Sequence, residues 1–584
     1  MFTNIKFTIL LIVLITIFNK NQVLSAPLDE TLISEDQQQN NNHKNNDDDE
    51  FSFILLHNND MHARFEEIYN MTKSCTPDLK ESNQCFGGFA RQVHVIREYR
   101  EKAKNPHGKP ILYLNAGDTF TGTPWFAIYK HEISSKFLNL LEPDAVTLGN
   151  HEFDLGVKNL AKYIKSLNTP VVVSNLDLSN EPKMQNIKNL HNSIILELAS
   201  HRIGIIGYVT PETMFQASVG KVKILPEIDA INKEAENLRN EGVNIIIALG
   251  HSGIQVDKQI AKHCPEVDIV VGAHTHTFLY KGNQPDSDRP FDTYPIVVKQ
   301  HGTGKRVPVV QAYAYTKYLG HLEVTFDKNG NLIEWNGNPI LLDYSVPQDN
   351  DVLDLLEEYR PGLLVLTESI GQTMNNLNGT KAACRRNECN FGDLICEAML
   401  YVREKELKEK YRRSDVFISI IQAGGIKASI PRGNVSKLDI LTAIPFNNTL
   451  VIATITGQTL VNALQHSASF YDAEEDGGYL QFSGIRVTYN MSLPVGRRLL
   501  NVKVRCSECY GETYHPIRLD KNYKVMFTKF LFTGGDQYIW NSNSNPLEEA
   551  EIMSNWTDYL AAIEYIQDMS PINYRTDHRQ VVLV

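Results

Sequence analysis

The stretch FSFILLHNNDMH, residues 51–62, runs from apolar β-type residues directly into a polar cluster. Four other stretches have the same form: ILYLNAGD (111–118), AVTLGNHEFD (145–154), NIIIALGH (244–251) and VDIVVGAHTH (267–276). Longer mixed segments with helical character separate these short apolar runs, an alternation typical of an α/β domain. In an α/β sheet the loops at the carboxyl ends of the strands converge on one crevice. We therefore expect the polar clusters to share one site.

The polar clusters consist of residue types that bind divalent metal ions. They supply Asp60, His62, Asp118, Asn150, His151, Asp154, His251, His274 and His276. Any one of these residues alone is explained equally well as a strand-end cap or a satisfied core histidine. Because the same chemistry recurs at every strand end, the pattern favours two divalent cations, and the donor atoms suit zinc or manganese.

Such a pair of ions predicts phosphate chemistry. Two metal ions about 3.5–4 Å apart can clamp a phosphoryl group, activate water and offset charge on the attacking and leaving oxygens. The expected reaction is hydrolysis of a phosphate ester or anhydride. His151 lies three residues before Asp154, a spacing at which the carboxylate can orient the imidazole toward the substrate.

Composition limits the classes of partner. The 584 residues include 57 Lys and Arg against 69 Asp and Glu, which gives a formal net charge of −12. This balance argues against a nucleic-acid binder with a broad basic surface.

Residues 29–50 are polar and low in complexity, so we expect disorder there, with a metal-binding tail around His43 and Asp47 as the alternative.

The N-terminus has the features of a secretory signal peptide. Residues 1–26 contain Lys6, the apolar run FTILLIVLITIF and a small-residue site at Ser25 or Ala26. The run is shorter than the roughly 18–20 residues that span a bilayer, although an uncleaved anchor is the alternative. The C-terminal DHRQVVLV lacks the hydrophobic tail of a glycolipid-anchor signal. We expect a secreted, extracellular protein with no membrane anchor.

The cysteine spacing agrees with an oxidising compartment. The close pairs are Cys75 with Cys85, Cys384 with Cys389, and Cys506 with Cys509. Disulfides that close short loops explain them, and zinc knuckles are the competing interpretation. Cys264 and Cys396 either pair with each other or remain buried thiols.

Secretion would also make the N-x-[ST] sequons glycosylation candidates: Asn70, Asn378, Asn434, Asn447, Asn490 and Asn555.

A second α/β pattern begins near Leu366, after a short segment of different character. PQDNDVLDLLEEYRPG (347–362) has a capping residue at Asp349 or Asp351, periodic apolar residues, and a stop at Pro361. It predicts one helix that links two domains.

Read in order, DMH, NAGD, GNHEFD, GHSG and GAHTH resemble the signature of calcineurin-like metallophosphoesterases, specifically the 5'-nucleotidase and apyrase family. The resemblance continues to the C-terminus through FGGFAR, VVQAYAYTKYLG, CRRNECNFGDLIC and FLFTGGDQY. It implies an N-terminal metallophosphoesterase domain, a four-layer α/β sandwich, and a C-terminal 5'-nucleotidase α/β domain. The implied order is signal peptide 1–26, disordered segment 27–50, metallophosphoesterase domain 51–347, linking helix 348–367 and nucleotide-recognition domain 368–584.

The resemblance also implies a role for each ligand-type residue. One metal would be held by Asp60, His62, Asp118 and His276, and the other by Asp118, Asn150, His251 and His274. Nucleotidase members often carry an amide at the position of His276. Because imidazole is also a competent ligand, we expect the metal to be retained even if its identity differs. Zinc is expected from the ligand type, with calcium and manganese as alternatives. His151 and Asp154 match the catalytic dyad, with His151 stabilising the transition state or protonating the leaving group.

The C-terminal domain would recognise the substrate. The matching positions are Arg385 for the nucleotide, Phe446 and Phe530 for the purine, Asp536 for the ribose, and Gln422 and Lys427 in IQAGGIKASI. Gln422 and Lys427 replace the family's Asn and Arg, and lysine lacks the bidentate fork of arginine, so this contact would be weaker or rearranged. Cys396 is present, but the position of its expected partner holds Ser419, which weakens the case for a disulfide there.

The leading hypothesis is a secreted apyrase that converts ATP and ADP to AMP. Some anchorless relatives act in the saliva of blood-feeding arthropods, where removal of ADP inhibits platelet aggregation. The lack of an anchor and the changes at Gln422 and Lys427 favour this choice. The alternatives are a 5'-nucleotidase that converts AMP to adenosine, a UDP-sugar hydrolase, a cyclic-nucleotide phosphodiesterase, and a non-catalytic nucleotide scavenger. A scavenger would have lost metal ligands.

Overall fold

Strand Phe51–Asn58 is central to the first sheet in the computed structural model of the protein. The structure describes residues 50–69, 73–409, 414–472, 477–506, 509, 512–540 and 550–584. The predicted signal peptide, the polar segment up to residue 49 and the sequon at Asn70 lie outside the described residues. Residues Phe51–Val584 belong to one unit.

The N-terminal domain is built on a pair of mixed sheets. The first has the order Leu332–Gly337, Tyr318–Phe326, Phe51–Asn58, Ile111–Asn115, Ala145–Val146, Val171–Val172 and Leu190–His191, with Ile340–Leu341 also paired to Tyr318–Phe326. The second has the order Ile296–Lys299, Arg306–Val310, Ile269–Val271, Ile245–His251, His201–Val209 and Ser193–Leu198. The helices are Pro77–Glu81, Phe89–Ala103, Pro124–Leu141, Val157–Ser166, Thr213–Gln216, Glu227–Asn240 and Ile254–His263. Short strand pairs join Ile68–Tyr69 to Lys73–Ser74 and Leu176–Asp177 to Lys223–Ile224.

Alternation along the strands explains how these layers pack. Leu112 and Leu114 belong to the apolar cluster shared with the second sheet, whereas Tyr113 belongs to the cluster shared with helices Phe89–Ala103 and Pro124–Leu141. Successive side chains of a strand point to opposite faces, so this strand is buried on both sides. The result is the predicted four-layer α/β sandwich, and the fold-class prediction is confirmed.

Helix Asn350–Leu364 follows the first domain. The Asp349 side chain caps it by accepting a hydrogen bond from the Asp351 N–H at 3.1 Å. The predicted stop at Pro361 is wrong, because the helix continues to Leu364. Proline removes one backbone hydrogen bond. Leu363, which follows Pro361, is nevertheless buried together with the apolar face of the helix, and this packing extends the helix.

The C-terminal domain has its own mixed sheets. One has the order Leu480–Ser483, Ile418–Gln422, Asn522–Thr528, Thr449–Thr456 and Glu551–Thr557, and another the order Tyr514–Pro516, Leu499–Arg505, Ile485–Asn490 and Gln580–Leu583. Strand Ser369–Thr373 pairs with Gly433–Ser436. The helices are Lys381–Cys384, Asn390–Glu409, Lys437–Ala443, Gly457–Ser467, Lys529–Phe532 and Asp558–Met569.

The cysteines pair as their spacing predicts. The disulfides are Cys75–Cys85, Cys384–Cys389 and Cys506–Cys509. Within the described residues, Cys264 and Cys396 are buried and not disulfide-bonded. The Ser419 hydroxyl donates to the Cys396 carbonyl at 2.7 Å, so the position of the expected partner does lie beside Cys396 but holds no thiol. Sequon asparagines with exposed side chains are Asn378, Asn434, Asn447 and Asn555, and Asn490 is half-buried.

Candidate metal centre and active site

The polar clusters follow strands from both sheets of the N-terminal domain. Asp60, Asp118 and Asn150 lie after neighbouring parallel strands of the first sheet. His251 ends a strand of the second sheet, and His274 follows the parallel strand beside it. The expected convergence on one sheet was therefore too simple, because packing of two sheets brings these residues into one place.

One group of ligand-type side chains contains Asp60, His62 and His276. His276 Nε2 lies 3.2 Å from Asp60 Oδ1 and 3.1 Å from His62 Nε2. His62 Nε2 also lies 3.9 Å from Asp60 Oδ1 and 3.8 Å from Asp118 Oδ2. Nitrogen and oxygen donors this close can share one cation.

A second group contains Asp60, Asp118 and His251. His251 Nε2 lies 3.0 Å from Asp118 Oδ2 and 3.6 Å from Asp60 Oδ1. Both carboxylates thus face both groups, whereas the resemblance implied a bridge by Asp118 alone. Asn150 and His274 lie alongside, with Asn150 Oδ1 3.1 Å from His274 Nδ1 and the His274 ring centroid 5.3 Å from that of His251.

These residues fit divalent cations. Asp60 Oδ1 and His251 Nε2 are buried and have no hydrogen-bond partner among the described residues. Such orphaned polar atoms are costly unless something binds them. His251 Nδ1 lies 2.8 Å from the Ala116 carbonyl oxygen, and an N–H donated there leaves Nε2 as a lone-pair donor.

Backbone strain is concentrated in the same loops. Residues in the left-handed region are Asp60 (φ 49°), His62 (φ 48°), Asp118 (φ 53°), His274 (φ 77°) and His276 (φ 50°). Non-glycine residues rarely adopt this conformation, and it is found at functional sites where the surrounding structure enforces it. Gly149 shows how close the loops approach, because a Cβ there would overlap the Asp118 carboxylate.

Electrostatics keep the donor atoms of His62, His274, Asp60 and Asp118 available. Burial lowers the pKa of His62 to about 3 and that of His274 to about 4, so both rings are neutral. Burial opposes ionisation of Asp60 and Asp118, but the neighbouring histidines outweigh it and hold both pKa values well below the usual range. Burial lowers the pKa of His251, but Asp118 and Asp60 reverse this and raise it to about 10. A cation that binds there would displace this proton.

His151 and Asp154 form a hydrogen-bonded pair beside the metal groups. His151 Nδ1 lies 2.8 Å from Asp154 Oδ2, which also accepts a hydrogen bond from the Thr121 hydroxyl at 2.6 Å. The His151 backbone N–H donates to Asp118 Oδ1 at 2.9 Å, which couples the pair to the metal ligands. Burial lowers the pKa of His151, but Asp154 and Asp118 outweigh it and raise the pKa to about 9. His151 is therefore protonated at neutral pH.

Glu152 is a functional residue that the sequence analysis missed. Its buried Oε1 accepts the backbone N–H groups of Thr119 at 2.8 Å and Phe120 at 3.1 Å. Its Oε2 accepts those of Asp118 at 2.9 Å and Gly149 at 2.7 Å. Glu152 thus fixes two of the site loops to each other. Its position inside the GNHEFD motif suggested a functional role, but the neighbouring sequence does not indicate which backbone amides its carboxylate binds.

The C-terminal domain contributes to the same site. The Phe446 ring stacks nearly parallel to the His151 ring, with centroids 6.2 Å apart and an interplanar angle of 11°. Lys427 Nζ lies 5.1 Å from the Phe446 centroid. The Lys427 residue is exposed to solvent, but many protein atoms surround its amino group. This desolvation, together with the charges of Arg385 and Lys381, lowers the pKa of Lys427 to about 8.

The other predicted substrate residues lie on the same domain. Arg385 is buried directly after helix Lys381–Cys384. Gln422 ends strand Ile418–Gln422, and its Oε1 accepts a hydrogen bond from the Thr528 hydroxyl at 3.4 Å. Phe530 lies in helix Lys529–Phe532, and Asp536 lies in the turn that follows. Asp536 and Lys427 interact electrostatically, so the acid and the lysine face a common space.

Two known families match the chain. Residues 54–278 match the calcineurin-like phosphoesterases, and residues 369–542 match the 5'-nucleotidase C-terminal domain. A protein named 5NUC from Lutzomyia longipalpis is 42% identical over 541 residues, which cover 91% of this chain and 93% of that protein. The snake venom 5'-nucleotidase of Crotalus adamanteus is 39% identical over 501 residues, covering 84% and 82% of the two chains.

A solved structure supports the same relationship. The crystal structure of the 5'-nucleotidase precursor from Thermus thermophilus aligns with a TM-score of 0.74 and 32% identity, and covers 91% of this chain and 99% of that one. Calcineurin-like phosphoesterases use a dinuclear site for divalent metals, and the donor groups described above suit such a site. The chain therefore belongs to the 5'-nucleotidase family, and it is a phosphoesterase and a hydrolase.

Proposed function

We propose that this enzyme hydrolyses the 5'-phosphate of extracellular nucleoside monophosphates and releases the nucleoside. The observation that carries the proposal is the stack of Phe446 on His151, with centroids 6.2 Å apart, beside the metal-ligand groups. A base bound by Phe446 would lie beside His151 and the metal-ligand groups, and a substrate with a single phosphate suits this nearness of base and catalytic pair. Relatives named 5'-nucleotidase, such as the bovine protein at 38% identity, support the same choice.

In this proposal the N-terminal domain performs the chemistry. Asp60, His62, Asp118, Asn150, His251, His274 and His276 hold two divalent ions, with zinc the first choice from the donor atoms. When bound, such ions activate water and offset phosphoryl charge. Protonated His151, oriented by Asp154 at 2.8 Å, stabilises the phosphoryl oxygens or gives its proton to the leaving ribose oxygen.

The C-terminal domain selects the nucleotide. Phe446 and Phe530 enclose the base, because aromatic faces stack well on purines. Asp536 accepts hydrogen bonds from the ribose hydroxyls. Gln422, whose Nε2 lies close to Gly425, orients the turn after its strand. Arg385 and Lys427 supply local positive charge for the phosphate in a chain whose formal net charge is −12.

Apyrase activity, the first choice from the sequence, is the second candidate. Lys381 and Arg385 are close enough to Lys427 to lower its pKa, so positive side chains are gathered on one wall of the site. Such a wall suits the additional charge of ADP or ATP. An enzyme of this kind would remove ADP and thereby inhibit platelet aggregation.

Phosphate release from AMP, ADP and ATP, measured in parallel on the purified full chain with added zinc, manganese or calcium, tests the proposal. Fastest release from AMP, with adenosine as the product, supports it. Release from ATP and ADP that stops at AMP would replace it with the apyrase. Binding of nucleotide without release would indicate a scavenger. An Asp118→Ala variant prepared in the same way controls for contaminating phosphatases.

We further propose that the protein is secreted after cleavage near Ser25 or Ala26. The similarity to a snake venom 5'-nucleotidase supports this location. Among the described residues, no helix has the length and apolar character needed to cross a membrane. N-terminal sequencing of protein recovered from the medium of eukaryotic cells tests the cleavage, and recovery only in the membrane fraction would contradict it. Glycosidase treatment of the same sample tests the sequons.

A further inference from the structure

We propose that Glu388, Asp393 and Asp577 form a calcium-binding site in the C-terminal domain, separate from the phosphoesterase centre. We call these three residues the acidic cluster. Glu388 precedes the disulfide-bonded Cys389, Asp393 lies in the first turn of helix Asn390–Glu409, and Asp577 precedes strand Gln580–Leu583. Each offers a carboxylate oxygen, and these oxygens lie within 4.8 Å of one another.

Asp393 is the observation that points to a ligand. Its side chain is 0% exposed, and neither carboxylate oxygen has a hydrogen-bond partner among the described residues. A buried carboxylate without a hydrogen-bond partner is rare, because removing its charge from water is costly unless cations and hydrogen bonds compensate. Its oxygens face the other two carboxylates of the acidic cluster.

Arg579 compensates the charge of Asp393 only in part, because it forms an ion pair with Asp393 but no hydrogen bond. Its Nε lies 3.8 Å from Asp393 Oδ1 but donates to Asp577 Oδ1 at 2.7 Å. Its other nitrogens are also engaged, with Glu397 Oε1 at 2.9 Å, the Tyr574 hydroxyl at 3.0 Å and the Phe482 carbonyl at 3.2 Å. The guanidinium is therefore directed at the neighbours of Asp393 rather than at Asp393.

The local charge is negative. Glu397 joins the acidic cluster around Arg579, and the second guanidinium, that of Arg486, reaches only the outer oxygen of Asp577 at 4.0 Å. Burial raises the pKa of Asp393 to about 9, and Glu388 and Asp577 add to this effect while Arg579 opposes it. Near pH 7 the Asp393 carboxyl therefore calls for more positive charge than Arg579 supplies, from a proton or a bound cation.

The donor set selects a hard cation. All three side chains offer oxygen, which suits calcium and magnesium and does not suit the softer metals. Calcium–oxygen distances are about 2.3–2.6 Å, so two ligands of one ion lie up to about 5 Å apart, and the spacing within the acidic cluster meets this limit. Calcium tolerates irregular coordination by mixed protein and water oxygens, whereas magnesium demands a near-ideal octahedron. Asp577 is exposed, so an ion can enter from solvent and complete its shell with water.

The acidic cluster lies where a bound ion would connect two segments of the C-terminal domain. Glu388 already accepts the backbone N–H groups of Asp577 at 2.8 Å and Gln580 at 3.0 Å. Glu388 also lies in the short loop closed by the Cys384–Cys389 disulfide, and this loop carries Arg385. A bound ion would therefore join the C-terminal segment to the loop of a proposed substrate residue. We expect it to stabilise the domain without taking part in the chemistry.

The competing explanation is a proton shared between Asp393 and Glu388, and calcium titration separates the two. The full chain is purified with its phosphoesterase centre saturated with zinc, and its melting temperature is measured with and without 5 mM calcium at pH 7.5. This concentration exceeds the dissociation constants of about 10⁻⁴–10⁻³ M that are typical of extracellular calcium sites. Asp393→Asn is compared with Asp520→Asn, a control in the same domain whose exposed carboxylate pairs with Arg518.

Calcium should raise the melting temperature of the native protein and of Asp520→Asn by about 2 °C or more, because an ion that binds only the folded state stabilises it. Asp393→Asn should lose this response, and without calcium it should melt no lower than the native protein, because the asparagine side chain is uncharged, like the protonated Asp393 it replaces. If Asp393→Asn fails to fold, Asp577→Asn takes its place, and this variant at the exposed rim of the site should lose the rise in melting temperature with calcium. Equal responses from the native protein and these variants, or no response in the native protein, would overturn the proposal.

Radioactive calcium gives an independent count. The native protein should bind one more calcium ion per chain than Asp393→Asn, whatever the phosphoesterase centre binds, because both proteins share that centre. Equal stoichiometry would refute the site directly. Loss of AMP hydrolysis would not affect this result, so the calcium site and the proposed function fail separately.

Discussion

Replacing Glu152 with glutamine tests whether one buried carboxylate holds the loops of the metal centre together. In the native protein two backbone N–H groups donate to each of its oxygens. An amide nitrogen cannot accept a hydrogen bond, so Glu152→Gln leaves two backbone groups facing another donor. An unsatisfied buried donor costs about 1–3 kcal/mol, and the substitution should therefore cost about 2–6 kcal/mol.

Calorimetry of the full chain at pH 8 measures this cost. Burial and the nearby Asp118 raise the pKa of Glu152 to about 7, so at pH 8 the native carboxylate is ionised and accepts all of its bonds. We expect the melting temperature to fall by about 3–10 °C, because a domain of roughly 300 residues unfolds with an entropy of about 0.6 kcal/mol/K. The same loops carry Asp118 and Asn150, so elemental analysis after gel filtration should show less bound metal, and phosphate release should fall with it.

Glu181→Gln is the matched control. Glu181 is also a buried glutamate of the N-terminal domain, and its Oε2 accepts the Lys221 N–H at 3.1 Å. The glutamine oxygen can keep that bond, so we expect the control to lose less than about 1 kcal/mol. If Glu152→Gln matches the control in melting temperature and metal content, the inference that Glu152 positions the metal ligands is wrong.

Other predictions address the metals, the acid and the base-binding residues. A chelator should abolish phosphate release and lower the melting temperature, because it removes ions that bind only the folded state; zinc or manganese should restore both. His151→Ala should lower turnover by about 10²–10⁴-fold with full metal content, and loss of metal would contradict its assigned role. Phe446→Ala and Phe530→Ala should raise KM for nucleotides much more than for a small aryl phosphate, whereas equal effects on both substrates would refute base stacking.

Local features of this protein were predictable from its sequence. The alternation of short apolar runs with helical segments indicated an α/β domain, and each polar cluster was expected at a strand end, where the structure has it. The Cys384–Cys389 pair spans only five positions, so a disulfide there needed no knowledge of the fold. Asp349 was a predicted cap of the helix that follows the first domain. Such features depend on neighbours in the chain, and the sequence displays these neighbours directly.

The sequence was less informative about partners distant in the chain. It indicated that Asp60 and His251 would lie near each other, but through one sheet, whereas they follow strands of different sheets. It gave no indication that Glu152 binds the amides of another loop. It also did not pair Glu388 with Asp577, which are 189 positions apart and meet where the Asp577 backbone N–H donates to the Glu388 carboxylate.

By itself, then, the sequence determined the two-domain α/β class, the family and the kinds of ligand at each strand end, because each depends on local period and on ordered motifs. Only the tertiary structure decided that Phe446 lies on His151, that both carboxylates face both metal groups, and that Asp393 is buried among other acids. These relations depend on which buried faces pack together. A periodic pattern specifies that a face will be buried, but its partner is chosen by the shape and packing of the whole core.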